Sequence, residues 1–348
     1  MQILKYIALK LKDIRNEGSL VKVKAEFQKN INKNDSVICL LCPHKCKLSP
    51  GQSGLCRVRK NIDGILYSIN YGKIRSAGVD PMEKNPLYHF YPGSSVLSLG
   101  TFGCNFSCDF CQNWRISQKR PETREMKAEE IIDLAEKKGV KSIAYTYSEP
   151  VVWYEFIRDS SKLAHKKDIK NVLVTNGYIN NNALKKILPY IDAANVDLKS
   201  YNEKFYKKYT GGSPEPVKNT IKMMANNIDL EVTTLVIGGL NDGNEELEKL
   251  FSWLGNINSS IPLHLSRYFP AYNMNKDATD ISTMKRAYKI ANKYLDFVYL
   301  GNMKSGDRNN TYCPNCSKKL ITRNHFKADS ILNGKNCPEC GYEIYGSF

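Results

Sequence analysis

No stretch of the 348-residue chain approaches the roughly twenty consecutive apolar residues of a membrane-spanning helix. The opening "MQILKYIALKLKDIR" puts Ile3, Ile7, Leu11 and Ile14 on one helical face, with no apolar core or small-residue cleavage site of a secretory signal. It reads as a docking helix, although lysines flanking the stripe keep an amphipathic membrane anchor open. A soluble, cytoplasmic protein with no membrane partner is expected. No G-x-G-x-x-G follows a strand pattern, which argues against a nucleotide-dependent hydride-transfer enzyme. Acidic residues are scarce, 35 against 51 Lys and Arg, giving a formal charge of +16. The surplus is mostly lysine spread along the chain, and no basic run carries the interleaved aromatics of a base-stacking surface, so nucleic acid is a disfavoured partner. Forty-two per cent apolar and 25 per cent charged residues describe a folding chain.

No cysteine is isolated either. All eleven fall into three groups: Cys39, Cys42, Cys46 and Cys56; Cys104, Cys108 and Cys111; Cys313, Cys316, Cys337 and Cys340. Such grouping without a secretory signal favours metal over disulfides.

Between these groups the chain alternates β-rich runs with amphipathic helical stretches, the pattern of a parallel sheet with crossover helices. "SVLSLGTFG" is the first strand, followed by the helix "AEEIIDLAEKKG" ending at Gly139. The strands "SIAYTYSEP", "NVLVTNGY", "AANVDLKS", "LEVTTLVIGG", "IPLHLSRYFP" and "DFVYLGNM" come next, separated by helices such as "NEELEKLFSWL". The fold class is therefore α/β, a partial or full (β/α)6-type barrel. An N-terminal helix and Cys-rich segment occupies 1–90, the barrel 91–303 and a terminal module 304–348. Functional side chains of such barrels gather at the C-terminal ends of the strands. Cys104, Glu149, Thr175, Asn176, Asp197, Lys199, His264 and Arg267 are the polar candidates for that rim.

"CPNC", twenty residues, then "CPECG" has the spacing of a zinc ribbon, two knuckles closing a tetrahedral structural site through Cys313, Cys316, Cys337 and Cys340. "CLLCPHKCKLSPGQSGLC" is less regular; Cys39, Cys42, Cys46 and Cys56 suit either zinc, which is preferred, or a second iron–sulfur cluster, with His44 a substitute ligand.

The central "GTFGCNFSCDFCQNW" presents three thiols. A [4Fe–4S] cube has four iron corners, and an electron-transfer cluster normally carries a thiolate on each. Three ligands leave one iron free for an exogenous ligand, as a catalytic zinc keeps one position open. C-x3-C-x2-C opening an α/β barrel resembles the radical S-adenosylmethionine (SAM) superfamily. With "DPMEKNPLYHFYPGS", "CPHKCKL…GLCRVR", "YTYSEP", "VTNGY", "DLKSYN" and the ribbon, residues 38 to 346 resemble the radical SAM enzyme of the AmmeMemoRadiSam system, a group similar to pyruvate formate-lyase activating enzymes.

The resemblance implies a [4Fe–4S] cluster on Cys104, Cys108 and Cys111, with SAM cleaved there to a 5′-deoxyadenosyl radical that takes hydrogen from a substrate. It implies cofactor contacts from Phe110 near the adenine, from Ser148 and Glu149 at the SAM amino group, and from Lys199. Thr175 and Asp197 match positions supporting a cation near the SAM carboxylate. Two positions depart from the pattern: Val174 stands where activating enzymes carry Asp, and Phe269 where relatives carry His. The implied partners are a protein substrate, a reductant such as ferredoxin or flavodoxin, and the other proteins of that system. The competing readings are an RNA-modifying radical SAM enzyme and a non-enzymatic iron–sulfur or zinc carrier or scaffold.

Overall fold

The computed structural model describes residues 23–31 and 34–348; the expected docking helix lies outside the described residues. Strand formation follows burial. Val96 to Gly100 are all buried, and so is every residue of Ser142–Tyr145, as expected for strands covered on both faces. Eight strands make one sheet: β1 (Ser76–Pro81), β2 (Ser95–Gly100), β3 (Ser142–Tyr145), β4 (Lys170–Thr175), β5 (Ala193–Asp197), β6 (Asp229–Val236), β7 (Leu263–Arg267) and β8 (Val298–Gly301). Their spatial order is their order in the chain. From β2 to β8 all neighbours are parallel, whereas β1 runs antiparallel to β2. The outer edges of β1 and β8 pair with no other strand among the described residues, so the barrel is partial. Strand β1 lies within the stretch assigned from sequence to the N-terminal segment and continues the sheet by a hairpin.

Each parallel crossover carries at least one helix. The helix Ala128–Lys137 buries Ile131, Ile132 and Ala135 and leaves Glu129, Asp133 and Glu136 exposed. Glu130 Oε2 accepts the Lys127 amide at 2.7 Å at its start. Its end is set by Gly139 at φ +65°, the left-handed conformation that glycine adopts without a Cβ penalty.

Two small antiparallel sheets precede the barrel, Gln28–Ile31 with Ser36–Cys39 and Lys47–Leu48, and Val23–Lys24 with Ile65–Ser68 and Arg59–Ile62. They dock on the helix Tyr154–His165 through the buried Arg59–Glu155 ion pair at 2.6 Å and through Phe27 edge-on to Tyr154.

The C-terminal module is a three-stranded antiparallel sheet of Thr311–Tyr312, Lys319–Asn324 and Lys327–Ser330. Its chain closes the N-terminal end of the barrel. Tyr345 Oη accepts the Leu230 amide at 2.9 Å, and Arg323 Nη1 donates to Thr311 Oγ1 at 2.8 Å while its guanidinium also reaches the Tyr88 carbonyl. His264 belongs to this end. It was expected on the rim, but it is the second residue of β7 and meets Glu231 Oε2 at 2.5 Å through Nε2. Glu231 Oε1 accepts the amides of Tyr88 and His89, both at 2.7 Å. Burial alone would raise the Glu231 pKa, but His264 and His89 hold it below the ordinary value. His264 is thus part of a buried polar lock between barrel and terminal module.

The four ribbon thiols lie within 4.8 Å of one another, with Cys313 Sγ 3.5 Å from Cys340 Sγ and Cys316 Sγ 3.7 Å from Cys337 Sγ. Zn–S bonds of about 2.3 Å place the thiolates of a tetrahedron about 3.8 Å apart, so the spacing fits zinc. Ligand convergence of this kind holds a small fold together. Treatment with a zinc chelator is expected to expose residues 312–342 to limited proteolysis while fragments spanning β2 to β7 persist; equal cleavage with and without chelator would count against a structural metal.

Candidate active site

The three-cysteine loop leaves β2 at Gly100 and carries Cys104, Cys108 and Cys111 before one helical turn, Trp114–Ser117. Gly103 adopts φ +93°, and a Cβ there would lie 2.6 Å from Val58 Cγ1 and 2.7 Å from the Cys56 carbonyl oxygen. Gly103→Ala is accordingly expected to displace the loop and cut iron incorporation at the triplet, measured as iron per chain after anaerobic reconstitution. The far side of the loop rests on residues 209–212. The Ser107 amide donates to the Thr210 carbonyl at 2.9 Å, the Asp109 amide to the Tyr209 carbonyl at 3.0 Å, and Gly212 approaches the Phe106 ring so closely that no Cβ fits. "TGG" at 210–212 was not singled out in the sequence, because its partner is more than one hundred residues away.

The rim residues expected from sequence do converge. Glu149, beyond β3, accepts from Thr175 Oγ1 at 2.5 Å and the Val151 amide at 2.9 Å through Oε1, and from the Asn176 amide at 2.8 Å through Oε2. Its carboxylate therefore braces the β4 end. The braced segment holds Asn176, whose Nδ2 donates to Asn105 Oδ1 at 2.9 Å and sits 3.7 Å from Cys104 Sγ. The Phe106 amide points at the same sulfur from 3.3 Å, and Ser117 Oγ lies 3.3 Å from Cys111 Sγ.

At the β5 end Lys199 Nζ meets Asp197 Oδ2 at 2.9 Å. Burial opposes the Lys199 charge, but Asp197 and then Cys108 outweigh it and keep the ammonium protonated well above the usual lysine range. Phe110 is buried and packs beside Phe205 at a centroid separation of 6.0 Å. Ser148 is half-buried, its amide donating to the Thr146 carbonyl at 2.9 Å. Val174 is half-buried within β4. Phe269 is 40% exposed, with the Arg267 guanidinium 4.8 Å from its ring centroid. Sequence reasoning also missed Tyr147, a non-glycine residue at φ +67° whose hydroxyl donates to Asp80 of β1 and whose carbonyl accepts from Asn113 Nδ2 at 2.9 Å. Left-handed backbone in a bulky residue signals local strain of the kind that gathers at functional sites.

The donor set suits a cluster held by three thiolates. Burial pushes the Cys108 thiol up to about 12 even with the Lys199 ammonium beside it, so a thiolate there calls for a further positive charge, which iron would supply. Burial and then Glu149 also push the Cys104 thiol well above its ordinary value. Cys104, Cys108 and Cys111 do not converge on one point as the ribbon thiols do, consistent with ligands on separate corners of a cube. The Asp197–Lys199 pair beside Cys108 offers one acid and one ammonium, suited to the carboxylate and amino groups of a zwitterion.

A partial, mostly parallel α/β barrel thus carries Cys104, Cys108 and Cys111 together at one end, a donor set suited to an iron–sulfur cluster. The model of the radical SAM superfamily matches residues 99–254. An uncharacterized protein of Methanocaldococcus jannaschii is 41% identical over 92% of this chain and 98% of its own length. A second protein of that organism, provisionally named a glycyl-radical enzyme activating enzyme, is 28% identical over 59% of this chain and 80% of its own. Pyruvate formate-lyase 1-activating enzyme of Escherichia coli K12 is 24% identical over 42% of this chain and 63% of its own. In fold, Streptococcus suis SuiB bound to precursor peptide SuiA is similar, with a TM-score of 0.50 and 15% identity over 64% of this chain and 52% of that one. The chain belongs to the radical SAM superfamily and is an enzyme, with glycyl-radical activating enzymes among its homologues.

Proposed function

We propose that this enzyme cleaves SAM reductively at a cluster on Cys104, Cys108 and Cys111 and abstracts hydrogen from a protein substrate, as an activase or protein-modifying enzyme. Cluster and SAM supply the radical chemistry; the chain binds, orients and shields them. Lys199 and Asp197 hold the charged methionine end of SAM. Phe110 forms the apolar wall near the adenine, and Ser148 lies on the same rim. Glu149, through Thr175 and Asn176, positions the donor facing Cys104. The observation that carries this reading is the three-thiol loop braced on the rim of the parallel barrel. The choice of a protein substrate is supported by the activating enzymes among the homologues, and the terminal ribbon with "CPHKCKL…GLCRVR" supports placement in the AmmeMemoRadiSam system.

The direct test is anaerobic reconstitution, reduction with dithionite in the presence of SAM, and chromatography for 5′-deoxyadenosine. Absence of that product from protein with a full iron complement would overturn the reading. Proteins captured from an anaerobic extract and compared by mass with and without SAM then test the substrate class.

A further inference from the structure

Cys39, Cys42, Cys46 and Cys56 lie outside the rim site, yet all four line one cavity together with Arg59, His44 and Asn105, the residue after Cys104. We propose that these four thiols hold an iron–sulfur cluster and not zinc, and that this cluster delivers electrons to the one on the rim. The delivery role rests on the radical SAM reading; the metal assignment does not.

Three observations carry it. Among the described residues, the ribbon supplies the one group of three or more ligand atoms gathered within 4.8 Å. The N-terminal thiols share a cavity, but no three of them gather within 4.8 Å, whereas a tetrahedral zinc draws its ligands that close and the separate corners of a cube do not. The cavity also contains an unanswered donor. Arg59 is 1% exposed and pairs with Glu155 through Nη2, while its Nε–H has no acceptor. Buried donors of this kind are normally satisfied, and a cluster sulfide or thiolate would accept the bond.

The third observation is adjacency. Both neighbours of Cys104 touch this segment. Gly103 lies against the Cys56 carbonyl too closely to admit a Cβ, and His44 Nε2 donates to the Asn105 carbonyl at 2.7 Å. That bond occupies His44 Nε2 and ties the four-thiol segment to the residue after Cys104. Outside, Leu55 is 62% exposed among exposed Lys45, Lys47 and Arg57, and residues 39–61 contain no acid. This is a landing surface for an acidic one-electron carrier. The reduced carrier gives one electron to the N-terminal cluster, which passes that electron to the rim cluster. SAM cleavage consumes it, leaving both the carrier and the N-terminal cluster oxidised.

Metal counting decides the assignment. The wild-type protein, reconstituted anaerobically, should hold about eight iron and about one zinc per chain, and the triple variant Cys104→Ala, Cys108→Ala, Cys111→Ala should keep about four iron with a paramagnetic signal on dithionite reduction. A triple variant with no iron overturns the proposal, whether the site holds zinc or nothing. If the wild type forms no 5′-deoxyadenosine while the triple variant keeps its iron, the metal assignment stands and the radical SAM reading falls. The double variant Cys42→Ala, Cys46→Ala, which leaves two thiols at this site, tests delivery, with unchanged ribbon zinc as the check on folding. Turnover driven by reduced flavodoxin should fall at least about tenfold while dithionite-driven turnover changes less than about twofold. Equal losses with both reductants overturn the relay.

Discussion

Cys108→Ala is expected to lower 5′-deoxyadenosine formation at least about a thousand-fold, because catalysis by residues that act as a unit collapses when one is removed. The remaining thiols, Cys104 and Cys111, can hold no more than two corners of a cube. The substitution also removes the thiolate beside Lys199, one of the groups that offset the cost of burying its ammonium. Iron content should fall alongside activity, and rim-cluster absorbance should be lost. Full iron with no activity would mean that another group has taken the corner and that SAM access, not cluster retention, depends on Cys108.

Glu149→Ala should be the most destabilising change on the rim. Three donors then lose their acceptor: the Thr175 hydroxyl and the amides of Asn176 and Val151. A buried donor left unpaired costs about 1–3 kcal/mol. Because the three share one pocket that water can partly refill, a total of about 3–5 kcal/mol in anaerobic urea unfolding is expected.

Glu149→Gln isolates the charge. Burial pushes the Glu149 pKa from 4.5 up to about 7, overriding the donors that favour its ionised form. Below pH 4.5 both folded and unfolded chains hold the proton and no penalty exists. Between pH 4.5 and 7 the unfolded chain releases the proton first, so stability falls as pH rises. Above 7 the loss is constant at about 3 kcal/mol. The Gln variant should lack this decline, and a wild-type profile parallel to that of the variant would refute the assignment.

The alternating pattern placed every strand from β2 to β8, since burial on both faces leaves long apolar runs punctuated by glycine and polar ends. Strand β1 escaped notice because "SAGVDP" is an edge strand, half solvated, with a glycine and a proline. Its hairpin partner alone makes it a strand. The three thiols, Glu149, Thr175, Asp197 and Lys199 were legible because parallel strands all end on one rim. His264 obeyed the same residue-type pattern but sits at the opposite end of β7, where Glu231 and the terminal module enclose it. Which end of a strand a histidine occupies depends on where the strand begins, and that boundary is set by pairing.

Sequence by itself determined which groups lie close together: three thiols in one loop, four in two C-terminal knuckles, and a repeating βα pattern, all local features whose spacing is fixed by covalent geometry. Tertiary structure decided what those groups face. It turned Glu149 toward the β4 end, set Asn176 against Cys104, seated the loop on Gly211 and Gly212, and brought Cys56 against Gly103. Each of these contacts joins residues tens to more than a hundred positions apart, and only packing of the folded chain brings such residues together.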